Sequence, residues 1–87
     1  MDASWTVYIL QCSDGSLYTG VARDLQRRLM QHNGVLVGGS RYTRGRRPVE
    51  LLWSDPALDR SAAQRREASI KKLSRDEKLR LARAVLK

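Results

Sequence analysis

The feature that most constrains the fold is a short turn set between two strand-forming runs. Trp5 to Cys12 is rich in β-branched and aromatic residues, Leu17 to Ala22 repeats that character, and Ser13-Asp14-Gly15-Ser16 separates them. This pattern signals a β-hairpin, because Asp and Gly tolerate the backbone conformations that reverse a chain. A three-residue loop, with Ser13 and Asp14 right-handed and Gly15 left-handed, makes a type I turn with a G1 bulge. Cys12 then pairs with Ser16, Leu10 with Tyr18 and Tyr8 with Gly20. In that register Tyr8 and Tyr18 share a face, diagonally ~7–8 Å apart at the backbone. A loop one residue shorter or longer puts them on opposite faces. Gly20 leaves bare backbone beside the Tyr8 ring.

The remaining chain reads as three helices and one strand. Asp24 is a good N-cap for a short helix over Leu25 to His32, stopped near Gly34. Gly34 to Arg47, Gly-rich and then Arg-rich, reads as a loop ended by Pro48. Val49 to Trp53 reads as a third strand, with a break at Asp55-Pro56. Ser61-Ala62-Ala63-Gln64 has the form of a capping box and starts a helix running to about Leu73. Ser74-Arg75-Asp76-Glu77 is a second capping box, opening a last helix over Arg75 to Leu86. The order is ββαβαα, three strands with helices on the sheet, which suggests a small α/β or α+β sandwich.

At 87 residues the chain is expected to be one domain, 1–87, with one modest core. The single Cys, Cys12, excludes an internal disulfide framework and a cysteine-only metal site. Its apolar setting reads as a small buried hydrophobe in a reducing compartment. No signal-peptide-like stretch or membrane-length apolar run is present in the sequence, so the expected location is cytoplasmic. The net charge is +8, with Lys plus Arg at 17 against 9 acidic residues, and 13 of the 17 are Arg. Arg forks onto phosphate through two parallel hydrogen bonds, so a polyanion is the expected partner, nucleic acid ahead of membrane.

Several residues stand out as candidates for chemistry. On the first helix Leu25 and Leu29 mark the buried stripe, and Arg28 and His32, four apart, are neighbours on its flank. They can lean over the sheet where the tyrosines emerge; taken singly, they read first as a solvated arginine and a core or capping histidine. On the next long helix Glu67 shares a side with Ala63 and Ile70. A carboxylate on an apolar face is ordinarily paired or metal-bound, and the spacing leaves a salt bridge to arginine open as well. Arg41-Tyr42-Thr43-Arg44-Gly45-Arg46-Arg47 places four guanidiniums and one aromatic ring in seven residues. Arg interleaved with an aromatic suits a phosphate backbone with bases to stack on. Arg41, Tyr42, Arg44, Arg46 and Arg47 are therefore the candidate nucleic-acid-binding residues.

Val7-Tyr8-Ile9, Tyr18-Thr19-Gly20, Arg28, His32 and Glu67, in that order, resemble the GIY-YIG nuclease superfamily. The resemblance covers nearly the whole chain. The size and the Arg41 to Pro48 segment resemble its small stand-alone bacterial members of YhbQ type. Each tripeptide is weak alone; the ordered set, with Arg eight residues after the Gly and His four after the Arg, is specific. The resemblance implies a ββαβαα sandwich with a three-stranded antiparallel sheet flanked by three helices. It implies an endonuclease that hydrolyses phosphodiester bonds in DNA, of the kind used in repair or on particular DNA structures. Tyr8, Tyr18, Arg28, His32 and Glu67 fall on the family's catalytic positions, and Glu67 on its metal position.

The implied cofactor is one divalent cation, Mg²⁺ or Mn²⁺, anchored by Glu67 and completed by water and substrate oxygens. Arg28 is expected to hold the scissile phosphate and Tyr18 to position water or phosphate. Tyr8 and His32 both qualify as the base: a free phenol titrates at ~10, and a neighbouring cation would favour its ionised form. Val7 stands where many members have Gly, Val21 where excision-repair members carry Lys, and Asn33 is the only Asn although members often place one late in the chain. These departures keep a second expectation open, a non-catalytic nucleic-acid-binding module or interaction subunit of the same fold. So small a nuclease has little surface for sequence readout, which makes a protein partner for substrate choice a further expectation. Nothing in the sequence reads a 2′ hydroxyl, so RNA stays open, as does the oligomeric state.

Overall fold

The computed structural model describes residues 5–85. Strand β1 covers Trp5–Gln11 and β2 covers Leu17–Ala22. Gly15 between them has φ +85, and its N–H donates to the Cys12 carbonyl at 2.9 Å. Asp14 braces the turn by accepting from the Ser16 N–H at 3.0 Å. This three-residue loop sets the antiparallel register that pairs Tyr8 with Gly20 and Leu10 with Tyr18, as the turn chemistry leads one to expect.

Helix α1 spans Leu25–His32, with the Asp24 side chain accepting from the Arg27 N–H at 3.0 Å. Beyond Gly34, where the expectation was continuous loop, Arg41–Arg44 forms a one-turn helix, α2. Ser40 caps it, its hydroxyl accepting from the Thr43 N–H at 3.3 Å. A helix of one turn has no apolar period to announce it, which is why composition reads the segment as loop.

Strand β3, Glu50–Ala57, runs through Asp55-Pro56 instead of stopping there. The sheet order β2-β1-β3 explains the difference: β3 is an edge strand, and edge strands can carry a proline. Its pairing with β1 is antiparallel and shifts by one residue between Ile9 and Leu10. Helix α3, Arg60–Lys71, begins earlier than the Ser61 box implies, because Asp59 is the cap and accepts from the Ala62 N–H at 2.8 Å. Helix α4, Arg75–Val85, opens on the expected reciprocal box: the Ser74 N–H donates to Glu77 at 2.8 Å and the Glu77 N–H to Ser74 at 3.2 Å. Its expected end at Leu86 lies outside the described residues.

The fold is thus a three-stranded antiparallel sheet between helical layers, with α2 added to the expected order. Alternation along β1 divides the core in two. Val7 and Ile9 join Trp53, Ala63, Ile70 and Ala82 under α3 and α4. Tyr8 and Leu10 join Cys12, Ala22 and Val49, with Tyr18, Leu25 and Leu29 packed beside them, under α1. Cys12 is buried and free, as its apolar setting implies.

Asn33 ties the second layer to the sheet. Its side-chain amide donates to the Val49 carbonyl at 3.0 Å and accepts from the Val49 N–H at 2.7 Å. Val49 is buried, so losing those partners strands two backbone groups away from water. Asn33→Ala is expected to cost ~2 kcal/mol or more in urea denaturation, with Asn33→Asp in between because it keeps only the acceptor.

Candidate active site

The hairpin register places both phenols on the face that α1 covers. Tyr8 lies across Gly20: a Cβ there would come 2.6 Å from the Tyr8 hydroxyl and 2.7 Å from Cζ. The bare backbone is therefore occupied by the ring, and Gly20 is required for that approach. Tyr8 is 1% exposed, and its hydroxyl lies 2.9 Å from His32 Nε2. Ring centroids are 6.4 Å apart for Tyr8 and Tyr18, and 5.2 Å for Tyr18 and His32.

His32 is fully buried at the last turn of α1, and both ring nitrogens are engaged. Nδ1 lies 3.0 Å from the Thr43 hydroxyl, which itself donates to the Ser40 carbonyl at 3.1 Å. With its proton on Ser40, Thr43 accepts from His32, so the neutral imidazole carries its hydrogen on Nδ1. Nε2 is then an acceptor, and Tyr8 donates to it. Burial, reinforced by the charges of Arg28 and Arg47, pushes the His32 pKa down to about 4. Burial pushes Tyr8 up to about 12, opposed by the Arg28 guanidinium and reinforced by Tyr18 and Glu67. Around neutral pH the pair is a neutral phenol donating to a neutral imidazole.

Arg28 is held from α1 by its Nη1, which donates to Gln31 Oε1 at 2.9 Å and to the Gly38 carbonyl at 2.8 Å. Its charge acts on both Tyr8 and His32. Four of the five expected catalytic residues, Tyr8, Tyr18, Arg28 and His32, thus meet on one face. Glu67 approaches from the other layer. It sits on α3 between buried Ala63 and Ile70, its side chain 22% exposed, paired with Lys71 at 3.3 Å. Its negative charge reaches the Tyr8 phenol, though as the smallest influence on it. Among the described residues no three His, Cys, Asp or Glu side chains gather into a metal cage. A lone half-buried carboxylate suits a hard cation that keeps most of its shell as water and substrate oxygen.

The basic segment divides into two kinds of arginine. Arg46 donates through Nε to Asp14 at 3.1 Å and through Nη1 to the Tyr42 carbonyl at 2.8 Å, while stacking 4.1 Å from the Tyr42 ring. Arg47 donates through Nε to the His32 carbonyl at 2.7 Å, at the C-terminal end of α1. Arg41 and Arg44 stand exposed on α2. Tyr42 stacks on Tyr18 at 5.6 Å, so the basic loop is continuous with the phenol cluster. Asn33, committed to Val49, does not contribute to the cluster. Thr43 does, and the sequence reading passed over it. Its only signal was its place three residues after Ser40, which sets the cap that turns it inward.

The GIY-YIG catalytic domain matches residues 4–80 of the chain. The chain belongs to the GIY-YIG family. This is a nuclease superfamily, and its domain implies nucleic acid as the substrate. The UPF0213 protein DP2720 of Desulfotalea psychrophila is 48% identical over 81 residues, 93% of this chain and 73% of that protein. The solution NMR structure of the UPF0213 protein BH0048 from Bacillus halodurans matches with a TM-score of 0.59 at 40% identity, covering 93% of this chain and 84% of that one. That of EF2693 from E. faecalis matches with a TM-score of 0.62 at 33% identity, covering 100% and 94%.

The depressed His32 pKa makes stability depend on pH. An unfolded histidine takes up a proton near 6.5 and the folded one near 4, so protonation favours unfolding across that interval. Stability is expected to be full above pH 6.5 and to fall by up to about 3 kcal/mol as pH drops to 4. Urea midpoints measured against pH should show this slope, and His32→Gln should flatten it.

Proposed function

We propose that this GIY-YIG protein is a divalent-metal-dependent endonuclease hydrolysing phosphodiester bonds in DNA. The observation that carries the reading is the buried Tyr8–His32 hydrogen bond at 2.9 Å, under the charge of Arg28. A phenol donating to a neutral imidazole is a ready proton relay. As water attacks phosphorus, the Tyr8 oxygen takes its proton while the phenolic proton passes to His32 Nε2. His32 is then the terminal base, and Thr43 holds it in the tautomer able to accept.

Arg28 has two tasks in this reading. Its guanidinium binds the scissile phosphate and offsets charge developing on the phosphoryl oxygens. In the free protein the same charge helps depress the His32 pKa. A bound phosphate offsets that charge, so His32 gains proton affinity when substrate arrives. Tyr18, edge-on to His32 and tilted against Tyr42, orients water or phosphate at the opening of the cluster. Glu67 would hold Mg²⁺ or Mn²⁺, which supplies Lewis-acid stabilisation of the leaving 3′ oxygen. Arg41 and Arg44, with Tyr42, extend the phosphate-binding surface. Arg46 and Arg47 shape that surface and add their charge to it.

The deciding experiment is incubation of the purified protein with labelled duplex, single-stranded and branched DNA, with Mg²⁺, Mn²⁺ or chelator. Cleavage is expected only with metal, and Arg28→Ala or Glu67→Ala should slow it at least ~100-fold with the thermal midpoint preserved. Binding without cleavage would favour the non-catalytic module, a reading to which the commitment of Asn33 to Val49 lends weight. Replacing Arg41 and Arg44 by Gln should reduce the slope of log affinity against log salt by ~2. An unchanged slope in a filter-binding titration would move the phosphate surface elsewhere.

A further inference from the structure

Between the catalytic helix α1 and the basic turn α2 lies a loop without charge, Gly34-Val35-Leu36-Val37-Gly38-Gly39-Ser40. Val35 is 70% exposed and Val37 is 96% exposed, with Met30 of α1 also exposed beside the loop's first foot. Isolated exposed apolar residues are ordinary, but two exposed valines on either side of a half-buried Leu36, in one loop beside a functional site, call for an occupant.

The loop is anchored at both feet. At the first, Gly34 has φ +83, and a Cβ there would come 2.6 Å from Arg47 Nη1. The Val35 N–H donates to the Met30 carbonyl at 2.9 Å. At the second, Gly38 has φ +122 and its carbonyl accepts from Arg28 Nη1 at 2.8 Å. Gly39 lies so close to the Gln31 carbonyl that no side chain fits. Two arginines therefore clasp the feet, and one of them is the expected phosphate ligand. Val37 is the residue next to the carbonyl that Arg28 holds.

An apolar tip whose feet are held by Arg28 and Arg47, on a loop that leads into the exposed Arg41 and Arg44 of α2, needs a partner that is anionic at its edge and apolar within. Nucleic acid meets that description, with phosphates outside and base faces inside. Side chains of this type enter nucleic acid as wedges between base steps, at an unstacking cost that is smallest where stacking is already broken. We propose that Val35 and Val37 form such a wedge, seated against unstacked bases next to the scissile phosphate. The wedge directs the protein to DNA carrying a bulge, gap or fork. The inference rests on the nuclease reading and names its substrate class.

The test measures binding in chelator, so it does not depend on cleavage. Fluorescence anisotropy compares a continuous duplex with the same duplex carrying an unpaired bulge, with 2-aminopurine beside the bulge to report base environment. The protein should bind the bulged probe at least ~10-fold more tightly, and the 2-aminopurine signal should change on binding. Val35→Ser/Val37→Ser should lose that preference, with duplex affinity within ~2-fold and the thermal midpoint unchanged, since both side chains are exposed. Val37→Ser alone should lose part of it.

Equal binding of both probes by the unaltered protein, or a preference that survives the double substitution, overturns the wedge. So does a double variant that weakens both probes alike. Loss of binding to phosphatidylglycerol vesicles, or of self-association in sedimentation, with DNA preference intact would reassign the loop and overturn it too. A bulge preference without metal-dependent cleavage would remove the nuclease reading and leave the wedge. Metal-dependent cleavage indifferent to the double substitution would do the reverse.

Discussion

A phenol ring laid across a glycine is the contact on which the arrangement depends. Tyr8 occupies the volume that any side chain at position 20 would fill, and the pairing of those two residues exists only in the register set by Gly15. That register also brings Tyr18 to the same face and gives α1 a surface to close on. His32 then meets the phenol from above, and Thr43 meets His32 from the far side. The tyrosine–histidine cluster is therefore part of the core, with Tyr8, His32 and Thr43 joined in one chain of hydrogen bonds. Such a network holds its geometry well because each member would be costly to leave unpaired.

The electrostatics follow from the same burial. An enclosed imidazole between Arg28 and Arg47 stays neutral, and an enclosed phenol keeps its proton. The two groups are displaced in opposite directions, which sets the sense of the hydrogen bond between them. Glu67, on α3, is neutralised in place by Lys71. A cation arriving at Glu67 would compete with that ammonium.

Where local chemistry decides structure, the sequence was sufficient. The Ser13 to Ser16 turn, the Asp24 cap and the Ser74-Glu77 box each act over a few residues and appear where their chemistry calls for them. The two-residue period puts Tyr8 and Tyr18 on one face once the turn has three residues, and the helical period makes Arg28 and His32 neighbours, but that the two pairs meet is legible only through the family resemblance. Tertiary context decided the rest. Pro56 remains in β3 because β3 lies at the sheet edge, which no local pattern states. The role of Thr43 depends on a one-turn helix capped by Ser40. Whether an arginine faces solvent or bonds a carbonyl depends on neighbours far along the chain: Asp14 for Arg46, and the end of α1 for Arg47. Glu67 was recognised as an unusual carboxylate, but spacing alone could not tell Lys71 from a metal as its partner.

The internal bonds of Arg46 and Arg47 have a consequence for association. A long basic side chain that waves in solvent loses rotational freedom when it grips an anion, and that loss subtracts from affinity. Here the guanidiniums beside the tyrosine stack are already hydrogen-bonded within the protein, to Asp14, to the Tyr42 carbonyl and to the end of α1. Their disorder was surrendered when the chain folded. A polyanion docking beside them would meet a cationic frame whose spacing belongs to the protein, and fit to that spacing would count alongside total charge.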